Sequence, residues 1–215
     1  MQPDVGEALR YLGVKSDPDG SLRAQMTAMA AALSSRITPR YIWCGLPLSK
    51  NEGIHLGDIE LPGQSAATML ADCRQCVLLV CTLGAEFDAL LRRTQARDMA
   101  QAVMLDALGS AYVEAACDEA TAEIAARFPG MHLTDRFSPG YGDLPLDVQP
   151  ALLEAAGAHR IGVAATPSLL MLPLKSVTAL IGLADVPQRA RIRGCAHCSM
   201  RQTCNLRKAG KSCGI

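Results

Sequence analysis

The spacing of hydrophobic and polar residues changes several times along this chain, and each change marks the border of a predicted element. Near the start, apolar residues recur at helical spacing in VGEALRYLG and again in SLRAQMTAMAAALSSR, which predicts two helices. A DPDG turn separates these segments, and Ser21 is the predicted N-cap of the second helix.

The next segments are typical of a strand, a helix and a second strand. RYIWCGLPL is predicted to form a strand that Pro47 limits, and GQSAATMLADC is predicted to form a short helix. CVLLVCTLG, residues 76–84, is a continuous apolar run that ends in a glycine. Such a run predicts a strand that is buried on both faces.

Residues 85–128 return to helical spacing and are rich in alanine, which favours helix. We expect two helices here, with a break near Arg97 or near Gly109, and FPG as the stop signal. MHLTDRF then predicts a short strand and PALLEAAGA a short helix.

The segment IGVAATPSLLMLPLKSVTALIGLA predicts one or two further strands. Strands that are interspersed irregularly with helices favour an α+β fold over a doubly wound sheet. We therefore predict one α+β domain over residues 1–188, followed by a basic cysteine-containing unit over residues 189–215.

Composition changes this picture in two respects. The 215 residues are 49% hydrophobic, which suffices for one main core, and Lys plus Arg equals Asp plus Glu at 21 each. This balance argues against a generally basic nucleic-acid protein, although no acidic residue follows Asp185 and seven basic residues do. We find no secretory pattern and no apolar run of membrane-spanning length, so we expect a soluble, cytoplasmic protein without a membrane partner.

Nine cysteines in such a chain are expected to be reduced. Five of them lie in the body of the chain and are predicted to pack as small hydrophobic side chains; these are Cys44, Cys73, Cys76, Cys81 and Cys117.

The other four cysteines lie close together in CAHCSMRQTCNLRKAGKSC. A C-x2-C pair places two thiolates within reach of one metal, and two further cysteines complete a four-sulfur shell that suits zinc or an iron–sulfur cluster. Reduced free thiols and a disulfide remain as alternatives, and His197 is expected to face solvent. The predicted metal ligands are Cys195, Cys198, Cys204 and Cys213.

Residues 136–149, RFSPGYGDLPLDVQ, carry the second group of candidate site residues. Arg136 can hold a carboxylate through two parallel hydrogen bonds, and the face of Tyr141 attracts cations. Gly140 and Gly142 allow the backbone to approach a ligand closely. These features together match S-adenosylmethionine, whereas an Arg-containing Gly/Pro-rich structural loop is the alternative. Asp143 is expected either to hold the ligand's amino group or to cap the turn.

Several motifs, taken in their order along the chain, resemble the activation (reactivation) domain of cobalamin-dependent methionine synthase, in the form that occurs as a separate short protein. The similar segments are LRYLG, TLGAEFDALLRR, LDALGSAYVEAACD, RFSPGYGDLPLDVQ and LPLKSVTALIGL, followed by the cysteine tail. The resemblance implies an α+β fold with a twisted antiparallel sheet and flanking helices. It also assigns S-adenosylmethionine to the Arg-x-x-x-Gly-Tyr segment and an acidic residue to the ligand's amino group. The residues concerned are Arg136, Ser138, Pro139, Gly140, Tyr141 and Gly142, with Glu114 as the acidic residue.

The resemblance implies a role in rescuing an oxidised corrinoid methyltransferase by reductive methylation. We expect the cobalamin to be held by a partner, either a methionine synthase or another corrinoid protein, and an electron donor to take part. The four-cysteine tail, which the long multidomain synthases lack, is predicted to carry an iron–sulfur cluster that relays the electron, with zinc as the alternative.

Two other classes of function remain open at this stage. One is a zinc-stabilised module that binds RNA or an acidic protein, although the tail has no aromatic residues for stacking on bases and nucleic acid is not expected. The other is a methyltransferase that uses S-adenosylmethionine on a small molecule, although the chain lacks the Gly-rich strand–helix loop of ordinary methyltransferases.

Overall fold

The structure, a computed structural model, describes residues 1–14, 17, 19–188, 202–208 and 210. Three of the four predicted metal ligands, Cys195, Cys198 and Cys213, lie outside the described residues. In the described part the helices are α1 (Val5–Tyr11), α2 (Ser21–Ser34), α3 (Gln64–Met69), α4 (Gly84–Gln95), α5 (Met99–Arg127), α6 (Gln149–Ala155) and α7 (Asn205–Lys208). The strands are β1 (Arg40–Ser49), β2 (His55–Leu56), β3 (Ile59–Glu60), β4 (Cys73–Thr82), β5 (His132–Leu133), β6 (Ala164–Ala165), β7 (Met171–Leu172) and β8 (Ser176–Ala184).

A six-stranded antiparallel sheet forms the centre of the molecule. Its strand order is β3-β2-β1-β4-β8-β5, and β6 and β7 form a separate two-stranded hairpin. Helices cover both faces of the twisted sheet, so the predicted α+β class with an antiparallel sheet is confirmed for the described residues. The last apolar segment contributes three strands rather than the expected one or two, because a short hairpin precedes β8.

The central strand β4 separates two hydrophobic cores. Its side chains point alternately to α1, α2, α4 and α5 on one face and to α3 and α6 on the other. The predicted strand that is buried on both faces is therefore confirmed. Val77, Leu79 and Cys81 belong to the first core, and Cys76, Leu78 and Val80 to the second.

The start of α2 differs from the sequence prediction. Gly20 occupies the N-cap position with a φ of 69°, and Ser21 is the first helical residue, so the prediction of Ser21 as N-cap is wrong. Because glycine offers no side-chain oxygen, the carboxylate of Asp17 accepts a hydrogen bond from the Arg23 N–H at 2.9 Å instead.

Pro47 does not limit β1, which continues to Ser49. The carbonyl of Pro47 accepts a hydrogen bond from the Gly57 N–H at 2.8 Å, on the edge of β1 that faces β2. The missing N–H of the proline lies on this same edge, away from β4, and its absence costs no hydrogen bond with β4.

The break between α4 and α5 lies at the first of the two expected places. Asp98 is the N-cap of α5, and its carboxylate accepts a hydrogen bond from the Gln101 N–H at 3.0 Å. Gly109 lies inside α5 instead, where an added Cβ would stand 2.2 Å from Cζ of the buried Phe87. This glycine allows α4 and α5 to pack closely.

Candidate functional site

Arg136 is held in place by the strand segment on which it lies. The Phe137 N–H donates to the Leu180 carbonyl at 3.0 Å, and the Leu180 N–H donates to the Phe137 carbonyl at 2.7 Å, so this residue pairs with β8. The Phe137 side chain is buried in the second core. Because neighbouring side chains along an extended segment point to opposite faces, Arg136 is directed towards α5.

Three side chains on α5 contact the Arg136 guanidinium. Nη2 lies 2.9 Å from Oε2 of Glu114, Nη1 lies 2.6 Å from Oδ1 of Asp118, and Nη1 also donates to Oγ1 of Thr121 at 3.3 Å. These partners are four and three residues apart, which places them on one face of the helix. Burial alone would lower the pKa of Arg136, but the hydrogen bond to Asp118 and the neighbouring negative charges raise it.

The charge of this cluster follows from its composition. The Arg136 side chain is 24% exposed, while Glu114 is 41% and Asp118 is 72% exposed. One guanidinium therefore lies beneath two carboxylates that solvent reaches, and the cluster has an excess of one negative charge. Its acidic rim suits an ammonium group, and a carboxylate that reached the guanidinium would share it with Glu114 and Asp118.

The loop that follows Arg136 folds back on itself through its own backbone. The Gly140 N–H donates to the Leu144 carbonyl at 2.8 Å, and the Leu144 N–H donates to the Tyr141 carbonyl at 3.1 Å. Gly140 has a φ of 88°, which other residues rarely adopt. Tyr141 is 65% exposed at the tip of the loop, so its ring is available to a ligand.

Gly142 and Asp143 attach the loop to helix α3. The Asp143 carboxylate accepts hydrogen bonds from the Gln64 N–H at 2.7 Å and the Ser65 N–H at 2.8 Å. These backbone bonds, together with the Ser65 hydroxyl, lower the pKa of Asp143. An added Cβ at Gly142 would stand 2.3 Å from Ser65 Oγ, so the loop requires glycine there. The Asp143 carboxylate therefore caps helix α3 rather than the turn of its own loop, and its contact with the ligand's amino group stays a prediction.

Helix α1 borders the same cluster. Burial, the hydrogen bond to Glu7 and the charge of Glu114 raise the pKa of Tyr11 to about 12. Arg10 pairs with Glu7, and its guanidinium carbon lies 4.9 Å from the centre of the Tyr11 ring. Tyr11 lies in the segment LRYLG, for which the sequence predicted no site residue.

Asp118 and Thr121, the other two α5 partners of the guanidinium, were not predicted from the sequence. They follow Glu114 at intervals of four and three residues. This periodicity on a predicted helix was the signal that could have found them.

A cleft of about 390 Å³ lies beside the start of α3. Gly63 lines it, and an added Cβ there would stand 2.6 Å from the Asp143 carboxylate, so the cleft borders the attachment point of the loop. Lys50 lines it as well, and its ammonium group donates to the carbonyls of Ala71 at 2.6 Å and Cys73 at 2.7 Å.

The cysteines of the body are packing residues, as predicted. Cys73, Cys76, Cys81 and Cys117 are buried, and Cys44 is half-buried. Burial raises the pKa of Cys76 to about 12, which keeps this thiol protonated. Within the described residues no group of three His, Cys, Asp or Glu side chains is arranged to hold a metal ion. Of the tail cysteines the structure describes only Cys204, which is half-buried.

Comparison with solved structures identifies a protein of similar fold. The crystal structure of the MetH reactivation domain bound to AdoHcy matches with a TM-score of 0.63 over 99% of this chain and 86% of that chain. The sequence identity is 16%, so the likeness shows a shared fold. No protein-family model matches the chain, and the search of curated proteins found no match either. No helix in the described part of the chain is long and apolar enough to cross a membrane.

Proposed function

We propose that this protein binds S-adenosylmethionine at the Arg136 cluster and supports the reductive methylation of cobalamin in a separate corrinoid methyltransferase. The observation that carries the proposal is the ion-pair cluster of Arg136, Glu114 and Asp118, which lies beside the loop that exposes Tyr141. The fold shared with a reactivation domain that was crystallised with AdoHcy supports the same ligand class.

The charges of the ligand and the cluster are complementary. S-adenosylmethionine carries one carboxylate, one ammonium and one sulfonium group, and so has an excess of one positive charge. We assign the carboxylate to the Arg136 guanidinium and the ammonium group to the carboxylates of Glu114 and Asp118. The sulfonium is assigned to the face of Tyr141, because an aromatic ring attracts a cation.

The remaining loop residues would hold the adenosine part through the main chain. Ser138, Pro139, Gly140 and Gly142 form the backbone of the turn on either side of Tyr141. Asp143 contributes indirectly, because its hydrogen bonds to the start of α3 fix the position of the loop.

The chemistry belongs to the ligands, and the protein binds and orients them. Bound S-adenosylmethionine would supply the methyl group, and one electron from a donor would accompany its transfer to the cobalt held by the partner. The product, S-adenosylhomocysteine, has lost the methyl group and the positive charge. It would therefore fit the negatively charged cluster less well and would dissociate more readily. The residues of this chain would orient the sulfonium and exclude water from it.

The four cysteines of the tail suggest a source for the electron that the reaction needs. We propose that Cys195, Cys198, Cys204 and Cys213 bind an iron–sulfur cluster that relays the electron, within a separate unit of residues 189–215. The spacing of the four cysteines and the surrounding basic residues, which offset the negative charge of four thiolates, support it. Protein purified without oxygen should be brown and contain iron and sulfide, whereas a colourless protein with one zinc ion would refute the relay.

Calorimetric titration tests the binding proposal directly. We expect the wild-type protein to bind S-adenosylmethionine about two- to fivefold more tightly than S-adenosylhomocysteine, the preference that a cation–π contact at an exposed ring provides. Tyr141→Leu should remove this preference while the affinity for S-adenosylhomocysteine changes little. Absence of binding by the wild type would refute the proposed function. Formation of methylcobalamin, followed by absorbance with a corrinoid protein, a reductant and this protein, tests the complete reaction.

A further inference from the structure

Among the described residues, one side of strand β1 has no partner strand along most of its length. Strand β1 pairs with β4 along one edge, but on its other edge it meets β2 only at Leu48 and Ser49. Within the described part of the chain, residues 40–46 of β1 therefore have no partner strand on this second edge. An open edge presents unpaired backbone N–H and C=O groups, which can pair with another strand.

The ladder of the sheet determines which groups face the open edge. Leu180 exchanges hydrogen bonds with Phe137, so the even-numbered residues of β8 face β5 and the odd-numbered residues face β4. Continuing this alternation through β4, the even-numbered residues of β1 face β4. Tyr41, Trp43 and Gly45 therefore direct their N–H and C=O groups outwards. The outward carbonyl of Pro47, which accepts from Gly57, agrees with this assignment.

Prolines stand symmetrically at the two ends of this open segment. Pro39 and Pro47 lie four residues before and four residues after Trp43, at positions of the same outward parity. Because proline has no N–H, neither can donate to an added strand. The outward donors are thus confined to Tyr41, Trp43 and Gly45, and their pattern is symmetric about Trp43.

We propose that the open edge of β1 binds the same edge of a second copy of this chain, antiparallel, with Trp43 opposite Trp43 of the partner copy. In this register Tyr41 lies opposite Gly45, and the pairing ends before Pro47, whose outward side Gly57 already occupies. Every outward N–H group between the prolines then donates a hydrogen bond to a carbonyl of the other copy. A shift of two residues in either direction places a proline opposite Tyr41 or Gly45 and leaves a carbonyl without its donor.

The side chains fit the same register. Tyr41 and Trp43 lie on the α5 face of the sheet, where Glu123 accepts hydrogen bonds from the Tyr41 hydroxyl at 2.8 Å and from Trp43 Nε1 at 3.1 Å. Gly45 lies on this face too, and an added Cβ there meets nothing within 4 Å. The tyrosine ring of one copy covers this space on the other, as aromatic residues do opposite edge glycines.

The pairing is closed, and it leaves the Arg136 site free. A two-fold axis through Trp43 uses the same edge on both copies, so no edge of β1 remains for a third copy. Strands β4 and β8 separate β1 from β5 and from the segment that carries Arg136. The inference therefore goes beyond the proposed function and does not depend on it.

Sedimentation velocity on the full chain tests the inference. The monomer has a mass of 22.8 kDa, and we expect wild-type protein to show a reversible species of twice that mass as its concentration rises. Gly45→Lys should raise the Kd of the dimer at least about tenfold, because the charged side chain would occupy the space that Tyr41 of the partner copy covers. The matched control is Ser49→Lys, a change at an exposed position of the same strand beyond the paired segment. It should leave the dimer intact.

Hydrogen exchange gives an independent measurement. The amides of Tyr41, Trp43 and Gly45 should exchange more slowly as the wild-type concentration rises, and those of Gly45→Lys should not respond. A wild-type protein that stays monomeric at several hundred micromolar overturns the inference. The two prolines would then serve to prevent other strands from pairing with this edge. A dimer that Gly45→Lys does not weaken also overturns it.

Discussion

Replacing Arg136 by methionine separates the two roles of this residue, in the fold and in ligand binding. Methionine retains an apolar stem but removes the guanidinium and its contacts with Glu114 and Asp118. Both carboxylates are substantially exposed, at 41% and 72%, so solvent can hydrate them once the cation is gone. Ion pairs of this kind contribute between roughly 0 and 1 kcal/mol, and we expect the free energy of unfolding to fall by about 1 kcal/mol or less.

Ligand binding should respond far more strongly than stability. A hydrogen bond to a charged group is worth about 1.5–3 kcal/mol, so losing the contact with the ligand's carboxylate should weaken S-adenosylmethionine binding roughly 10- to 150-fold. Arg136→Lys retains the charge but not the two parallel donors, and should give an intermediate Kd. Isothermal titration calorimetry, together with urea unfolding of each variant, measures both quantities.

The chain offers a matched control for this experiment. Arg74 forms an ion pair with Asp185 at 2.5 Å, and the two side chains are 75% and 49% exposed. Arg74→Met removes an arginine–carboxylate pair of the same kind and should leave the Kd for S-adenosylmethionine unchanged. Equal affinity of wild type and Arg136→Met would refute the assignment of this residue to the ligand, whatever the effect on stability.

Three further predictions concern the packing and charges around the fold. Gly109→Ala should lower the free energy of unfolding by about 1–3 kcal/mol in urea titrations, because its Cβ would overlap the ring of Phe87; a change near zero would contradict the close packing of α4 and α5. Asp143→Asn should cost about 1 kcal/mol at pH 7. Folding lowers the pKa of this carboxyl, so the stability that it contributes in the wild type is fully present above the ordinary carboxyl pKa of about 4. That stability is lost as the pH falls through the lowered pKa. An Asn variant whose free energy of unfolding depends on pH in the same way as that of the wild type would argue against the cap. The hydrogen bond to Glu123, together with burial, raises the pKa of Tyr41 to about 12. In Glu123→Gln, ultraviolet absorbance should show Tyr41 titrating closer to 10. An unchanged titration would show that this hydrogen bond is not the main cause of the raised pKa.

Local patterns in the sequence carry much of the fold. The apolar run of β4 predicts a doubly buried strand, because every second residue must face one of two cores. The alanine-rich segment predicts helix, and Asp98 offers the N-cap that begins α5 near the expected break. The candidate loop could be recognised because Arg136, Gly140 and Tyr141 are close in sequence, and the local chain determines their mutual spacing.

Contacts between distant segments had to come from the tertiary structure. Nothing local pairs Arg136 with Asp118 and Thr121, since that contact depends on how β8 places residue 136 against α5. Asp143 could be a ligand contact or a cap on local grounds, and only its approach to Gln64 shows that it caps α3.

Pro47 illustrates the same division between sequence and tertiary structure. Local rules end a strand at proline, yet this proline lies inside β1, because the pairing of the sheet turns its missing donor away from β4. The sequence alone determined which segments are helix or strand and which local side chains have binding chemistry, because backbone preferences and burial periodicity are properties of short segments. Only the tertiary structure decided which charges meet, which carboxylate caps a helix and which strand edge remains open, because those depend on segments far apart in the chain.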